Sequence, residues 1–234
     1  MKSIIPPIKT GNIWHSPLNV YWHADQIVKK VGAEAVEKKT EFQMLRDARV
    51  GAVVALCMFE KMNRVTYVQL YKPDPPDVIL MQPSGEKWET RDITQVEVTT
   101  YVNPQQTLLE QLKRRKILPG QPAYNENYIL AVNMGKHAVV APGPISKYLK
   151  ENKNVFPIWL LQEVSMSPDV IAKLTWINPG EVHETEVNLG KAAYDFKRLR
   201  FPDVIGTKRV GSIEYVRAEP SNPDNRAPWE TVGD

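Results

Sequence analysis

Apolar positions recur at helical spacing over the first quarter of the chain, and the pattern then switches to alternation. From Ala24 to about Lys39, Ile27, Val28, Val31, Ala35 and Val36 mark one face, which predicts an amphipathic helix. Thr40 or a neighbour caps a second helix from about Glu41 to Met62, whose apolar face carries Phe42, Leu45, Ala48, Ala52, Ala55, Leu56 and Phe59. Toward its end nearly every position is apolar, as expected of a helix buried on all sides. Residues 1–22 read as irregular chain packed onto the body by Trp14, Tyr21 and Trp22.

After Asn63 the pattern becomes β-branched and aromatic. Val65–Tyr71 alternates and predicts a strand. Lys72-Pro73-Asp74-Pro75-Pro76 is a turn, because proline cannot donate to a ladder. Asp77–Met81 is a second strand, Gln82–Thr90 a turn-rich connection and Ile93–Val102 a third strand. Pro104–Lys116 is amphipathic and predicts a helix. Further strands are expected at Tyr128–Val132, Ile158–Val164 and Val170–Ile177, with a short helix around Ile145–Lys150. Helices and strands mixed in this way point to an α/β or α+β architecture. Residues 1–217 are read as one domain, and the polar, proline-containing stretch 218–234 as a loose tail.

Composition adds bounds rather than a function. Of the 234 residues 42% are hydrophobic and 24% charged, which is ordinary for a folded domain. A single cysteine, Cys57, excludes an intrachain disulfide and lies in an apolar run, so it reads as a buried packing thiol. Two prolines interrupt the N-terminal segment where a signal peptide needs an unbroken apolar region, and no run has transmembrane length, so a cytoplasmic address is expected. The net charge of +3 permits a nucleic-acid partner without arguing for one.

Candidate chemistry gathers at the second and third strands. Gln95, Glu97 and Thr99 share one face of a strand while Val96 and Val98 share the other. If the valines enter the core, Glu97 faces a cleft or solvent. Asp77 opens the preceding strand behind Pro75-Pro76. A hairpin between these strands brings the two carboxylates together, where they repel unless a cation neutralises them. Magnesium suits such a pair, being a hard ion bound by carboxylates, water and phosphate oxygens.

"PPDVIL" followed by "QVEVTTY" resembles the signature of the PD-(D/E)xK, or restriction-endonuclease-like, nucleases. In that family Asp opens one strand, Glu-x-Lys lies on the next, and an acid on the preceding helix often joins them. The resemblance spans about residues 41–116. It implies a mixed central sheet flanked by helices, with Asp77 and Glu97 as the motif acids and Glu41 as the helical acid. It further implies Mg²⁺ or Mn²⁺ held by Asp77, Glu97 and the carbonyl of Val98, and hydrolysis of nucleic acid, DNA ahead of RNA. Glu41 would orient water or a second ion. Self-association as a homodimer is left open.

The match departs from the family at Thr99, which stands where the motif has lysine. In the family that lysine is thought to activate the attacking water and offset charge on the phosphate, and a hydroxyl supplies no fixed charge. Three explanations follow: a lysine from elsewhere (Lys61, Lys72 or Lys87) reaches the site, the metal acts alone, or catalysis is lost. The last leaves a module that binds nucleic acid or a protein partner. An unrelated α/β protein whose strands mimic the motif is a further alternative.

Lys113-Arg114-Arg115-Lys116 ends the helix after the motif. It either grips phosphates or complements the helix dipole as a solvated end, and the second is the simpler reading. Lys197-Arg198-Leu199-Arg200 and Lys208-Arg209 form a second basic cluster of the same kind. His15, His23, His137 and His183 have no zinc spacing, and Glu181–Glu186, the sequence EVHETE, reads as a solvated hairpin edge. Trp159 and Trp176 fall in strands and read as core. Phosphate loops of the Walker or Rossmann type are absent from the sequence.

Overall fold

The structure is a computed structural model that describes residues 13–70, 76–84, 90–101, 105–115, 128–134, 138–153, 156–165, 170–199, 201, 204–210 and 213–218. In chain order the elements are β1 (Ile13–His15), α1 (Pro17–Val31), α2 (Ala33–Lys38), a 3-10 turn (Thr40–Phe42), α3 (Gln43–Met62), β2 (Tyr67–Leu70), β3 (Val78–Ser84) and β4 (Thr90–Thr100). Then follow α4 (Leu108–Arg115), β5 (Tyr128–Met134), α5 (Pro142–Glu151), β6 (Ile158–Ser165), β7 (Ile171–Asn178), β8 (Glu181–Asn188), α6 (Leu189–Arg198), β9 (Val204–Val210) and β10 (Ile213–Ala218).

The ten strands form one mixed sheet, in the order β10-β9-β1-β2-β3-β4-β5-β6-β7-β8. Neighbours are antiparallel except β4 with β5 and β5 with β6, which run parallel. Parallel neighbours need a crossover, and α4 and α5 provide the two helices. Both crossovers advance across the sheet in the same direction, so a common handedness puts both helices on one face. Leu108, Leu112, Ile145 and Leu149 pack there against Leu130, Val132, Ile158 and Leu160. The opposite face carries Val78, Leu80, Val96, Ala131, Leu161 and Leu174 and is covered chiefly by α3, with α1 and α6 beside it. The chain is thus an α/β protein with a mixed sheet flanked by helices.

Being wedged between the sheet and two other helices explains why α3 is apolar all round: Val50 to Phe59 are buried without a break. Its close approach to the sheet depends on Gly51. A Cβ built there would stand 2.7 Å from Val78 Cγ1 and 3.3 Å from Val78 Cβ. Asn63 ends the helix in the left-handed conformation at φ 52°, its N–H donating to Met58 and Phe59 carbonyls. Cys57 lies on this helix, and burial pushes its thiol up to about 12, so it is no nucleophile at neutral pH.

Several elements differ from the sequence reading. The N-terminal segment is ordered rather than irregular from Ile13: β1 inserts between β2 and β9, and Ser16 caps α1 by accepting from the Asn19 N–H at 3.2 Å. The first helix is two helices, because Gly32 at φ 90° breaks the run. Strand β3 continues through Pro83 to Ser84. Pairing with β2 stops at Met81, so the missing N–H of Pro83 costs no ladder bond on that side. The hairpin edge at residues 181–186 is β8, at the end of the sheet, where alternating charges discourage further pairing. Of the C-terminal stretch, residues 219–234 lie outside the described residues. Among those described, no helix is long and apolar enough to cross a membrane.

Gly51→Ala tests the contact between α3 and β3. Alanine favours a helix over glycine by about 1 kcal/mol, yet the crowding against Val78 costs roughly 1–3 kcal/mol. The variant is expected to unfold at lower urea concentration than the parent. The double variant Gly51→Ala/Val78→Ala is expected to be less destabilised than the sum of its two single changes, because Val78→Ala removes the clashing methyls.

Candidate functional site

The ladder between β3 and β4 ends beside a proline. The ladder between β3 and β4 begins at Val78 opposite Val96, and continuing that register sets Asp77 opposite Glu97 and Pro76 opposite Val98. Pro76 has no N–H to offer, so the ladder stops there. The Asp77 side chain takes over: its Oδ2 accepts the Val98 N–H at 2.7 Å. A strand residue directs its N–H and C=O to the same side. The Val98 carbonyl therefore faces the break, where Pro76 has no N–H to donate to it.

Glu97 alternates with Val96 and Val98, which meet the α3 side, and so projects from the face that α4 and α5 cover. Its parallel neighbour on that face is Leu130. Glu97 is 2% exposed, so it faces neither the cleft nor the solvent that its place on the strand led one to expect, because α4 and α5 cover that face too; Asp77 and Thr99 are half-buried. A buried carboxylate beside a second one is costly unless a cation or donors compensate it.

Two carboxylates on adjacent strands and a main-chain carbonyl are oxygen donors of the kind that magnesium or manganese prefers. Among the described residues no group of three or more His, Cys, Asp or Glu side chains is placed to hold a metal. The sheet also locates the site. Asp77 enters, and Glu97 to Thr100 leave, at the carboxyl ends of the parallel strands, where ligands bind in open α/β sheets.

Glu41 is not brought to this pair. It sits exposed on the 3-10 turn, 3.8 Å from Lys39 Nζ. Ten residues separate it from Gly51, the residue in contact with Val78, which is roughly 15 Å along a helix axis. Lys61 is as far from Gly51 in the other direction, beside Glu60 at the end of α3. Its helix covers the sheet face opposite to the one from which Glu97 projects. Lys72 and Lys87 lie outside the described residues.

The basic run on α4 begins where Thr107 and Glu110 cap the helix. Glu110 Oε2 accepts from both the N–H and the hydroxyl of Thr107 at 2.8 Å, and the Glu110 N–H donates back to Thr107 Oγ1 at 3.3 Å. The Thr107 backbone bond, then its hydroxyl, holds the Glu110 carboxyl below its ordinary value. The helix therefore starts at Leu108, not near Pro104, and the T-x-x-E spacing was the signal for it. Lys113 and Arg114 are exposed, and Lys113 Nζ lies 4.5 Å from the centre of the Tyr148 ring, linking α4 to α5. Arg115 closes the helix, and Lys116 lies outside the described residues. Lys113 and Arg114 belong to a helix that covers the sheet face from which Glu97 projects.

On the other side of the sheet, Trp159 is core, as its place in a strand implies, while Trp176 packs partly buried between it and His183. His15 and His23 lie near each other at the N-terminal end. Burial, then the neighbouring His15, holds His23 below its usual value, and among the described residues no zinc-type ligand group forms.

No protein-family model, curated protein or solved structure matches the chain.

The Asp77–Val98 bond separates a structural from a chemical role for Asp77. Asp77→Ala leaves the Val98 N–H without its acceptor and is expected to destabilise the fold by about 1–3 kcal/mol. Asp77→Asn keeps an oxygen in place and is expected to lose less than half of that. Thermal unfolding, with the exchange rate of the Val98 amide as a local readout, checks the order: parent, then Asn, then Ala.

Proposed function

We propose that this chain is a metal-dependent nuclease-like protein that hydrolyses phosphodiester bonds of nucleic acid. The observation that carries the reading is the register setting Asp77 opposite Glu97, with the Asp77 carboxylate reaching the backbone of Val98. Asp77, Glu97 and the Val98 carbonyl would hold Mg²⁺ or Mn²⁺. Such an ion, when bound, lowers the pKa of a water ligand and stabilises charge developing on a phosphate.

The chain's own groups have distinct tasks in this reading. Glu97, buried between β3 and β5, fixes one side of the ion site against motion. Asp77 fixes the other through its bond to Val98. Thr99, on the Glu97 face one turn of the pleat further on, offers a hydroxyl to a phosphate oxygen or to water. Lys113 and Arg114 raise the local concentration of a polyanion at that face. A restriction-endonuclease-like core, with DNA favoured over RNA, is the finer form of the proposal. It is supported by α3, the antiparallel β2-β3-β4, the helix α4 and the parallel β5 following one another around the motif acids.

Thr99 favours a second reading, a nuclease-fold module that binds nucleic acid or a protein partner without cleaving. No cation stands at the motif position to assist the attack.

Purified protein incubated with plasmid, single-stranded DNA and RNA in Mg²⁺ or Mn²⁺ separates the readings. Cleavage is expected only with the metal, and Asp77→Asn and Glu97→Gln are each expected to lower it by about 100-fold or more. Undiminished cleavage by either variant rejects the site. Nucleic-acid binding that persists in EDTA without any cleavage supports the second reading.

A further inference from the structure

A cleft of about 410 Å³ opens on the sheet face that Glu97 shares, between the strands and the start of α5. Its size is that of a small-molecule site. Met134, Leu160 and Pro142 form its apolar walls, and Val139 and Val164 stand at its mouth, 93% and 47% exposed. Lys173, Thr175 and Glu184 supply its polar side.

The cleft and the carboxylate pair are joined by the register. Thr99 lies opposite Val132, Val132 opposite Leu160, Leu160 opposite Thr175, and Thr175 opposite Glu184. This is one row across one face. Two strand spacings, about 10 Å, separate Thr99 from the cleft wall at Leu160.

The polar groups are held in place by one another. Lys173 Nζ donates to Glu184 Oε2 at 2.9 Å, and the Thr175 hydroxyl donates to Glu184 Oε1 at 3.2 Å. The hydrogen bond from Lys173 is the first cause of a Glu184 carboxyl held below its ordinary value. A fixed carboxylate opposes a phosphate. It accepts instead from N–H groups, so a base rather than the backbone is the part of a nucleotide that fits. The ammonium has three donors and the carboxylate about four acceptor sites, so capacity remains beyond these two bonds.

We propose that this cleft takes one unpaired guanine of a nucleic-acid strand, read on its Watson–Crick edge by Lys173 and Glu184. The inference rests on the reading above that nucleic acid is the substrate. Guanine presents, in order, the O6 acceptor and the N1–H and N2–H donors. Lys173 followed by the Glu184 carboxylate presents the complementary donor and acceptors. Cytosine, adenine and thymine each offer that carboxylate only one donor group. The apolar walls cover the ring faces, as sites that bind splayed-out bases do.

The test uses the full chain in EDTA, where no metal-dependent cleavage occurs. Fluorescence anisotropy compares two labelled single strands of about eight nucleotides, one all thymidine and one with a single central guanosine. The guanosine strand is expected to bind about tenfold more tightly, the value of one good base contact. Glu184→Gln, with an unchanged unfolding midpoint, is expected to cut that preference to within about twofold while changing the all-thymidine affinity little. Equal affinity of the parent for both strands, no binding of either, or a preference surviving Glu184→Gln overturns the proposal. A guanosine preference without cleavage in Mg²⁺ leaves the cleft standing and removes catalysis. Metal-dependent cleavage lost in Asp77→Asn, with no guanosine preference, removes the cleft alone.

Discussion

The Val98 amide and the Asp77 carboxylate meet across a gap that proline makes. Without the bond, β4 would present an unpaired N–H at a half-buried strand end, a loss worth about 1–3 kcal/mol. With it, a charged side chain is held beside the backbone of the neighbouring strand, facing the break. One residue thus closes the hairpin and, in the proposed reading, would supply half of an oxygen site. Glu97, which would supply the other half, is placed by the alternation of β4: the valines that anchor the strand under α3 oblige the glutamate to point the other way. Position of the pair follows from packing, not from a loop that must find its shape.

The same core explains what else reaches that end of the sheet. Parallel pairing of β4, β5 and β6 aligns their carboxyl ends, and both crossover helices lie on the Glu97 face. Basic residues of α4 and the cleft at the start of α5 therefore lie on the same face of the sheet as Glu97. On the opposite face, α3 is pinned near the same end by a partly buried ion pair of Arg49 with Glu163 at 2.5 Å, with the Arg49 guanidinium 5.2 Å from the centre of the Tyr21 ring. Burial is the first cause that pushes the Tyr21 hydroxyl up to about 12, so it stays neutral beside this pair. The helix that shields the back of the site is thereby fixed to β6 as well as to Val78.

Much of this was legible in the residues. The alternation of Val96, Glu97, Val98 and Thr99 put the valines on the core face and Glu97 on the other, but that other face is covered too, so Glu97 meets neither cleft nor solvent. Pro76 stands where the β3–β4 ladder ends, while Lys72–Pro75 lie outside the described residues. The long helix was legible because a run from Val50 to Phe59 without a charge has nowhere to go but the interior. What escaped was decided by distant partners. Ile13–His15 is a strand because β2 and β9 flank it, and three residues carry too little periodicity to announce that. Leu189, Ala192, Ala193 and Phe196 do recur at helical spacing, but charged neighbours mask α6 in the sequence. The structural task of Asp77 was invisible for a different reason: a side chain replacing a backbone acceptor leaves no trace in composition. Glu41 was placed beside the carboxylates by family analogy alone. The length of helix between it and Gly51 carries it away.

Thr99 is the point at which fold and chemistry can part. A lysine there would stand in the row that runs through Val132 and Leu160 to the cleft, placing a charge between the ion site and the Lys173–Glu184 pair. Threonine removes that charge and, being β-branched, suits an interior strand better. The strand itself gains from the exchange, while any water at the carboxylates loses a cation that would offset its developing charge. In the proposed reading compensation would come from a bound ion and from the exposed cations of α4, which act through the field at the surface rather than through contact. A phosphate bound at this face would meet a weaker positive potential than a lysine-bearing site provides, and its position would then depend more on what anchors the strand nearby. The proposed base-holding cleft, further across the sheet in the same row, would supply that kind of anchor, since energy gained at a distant contact can hold a scissile group in place.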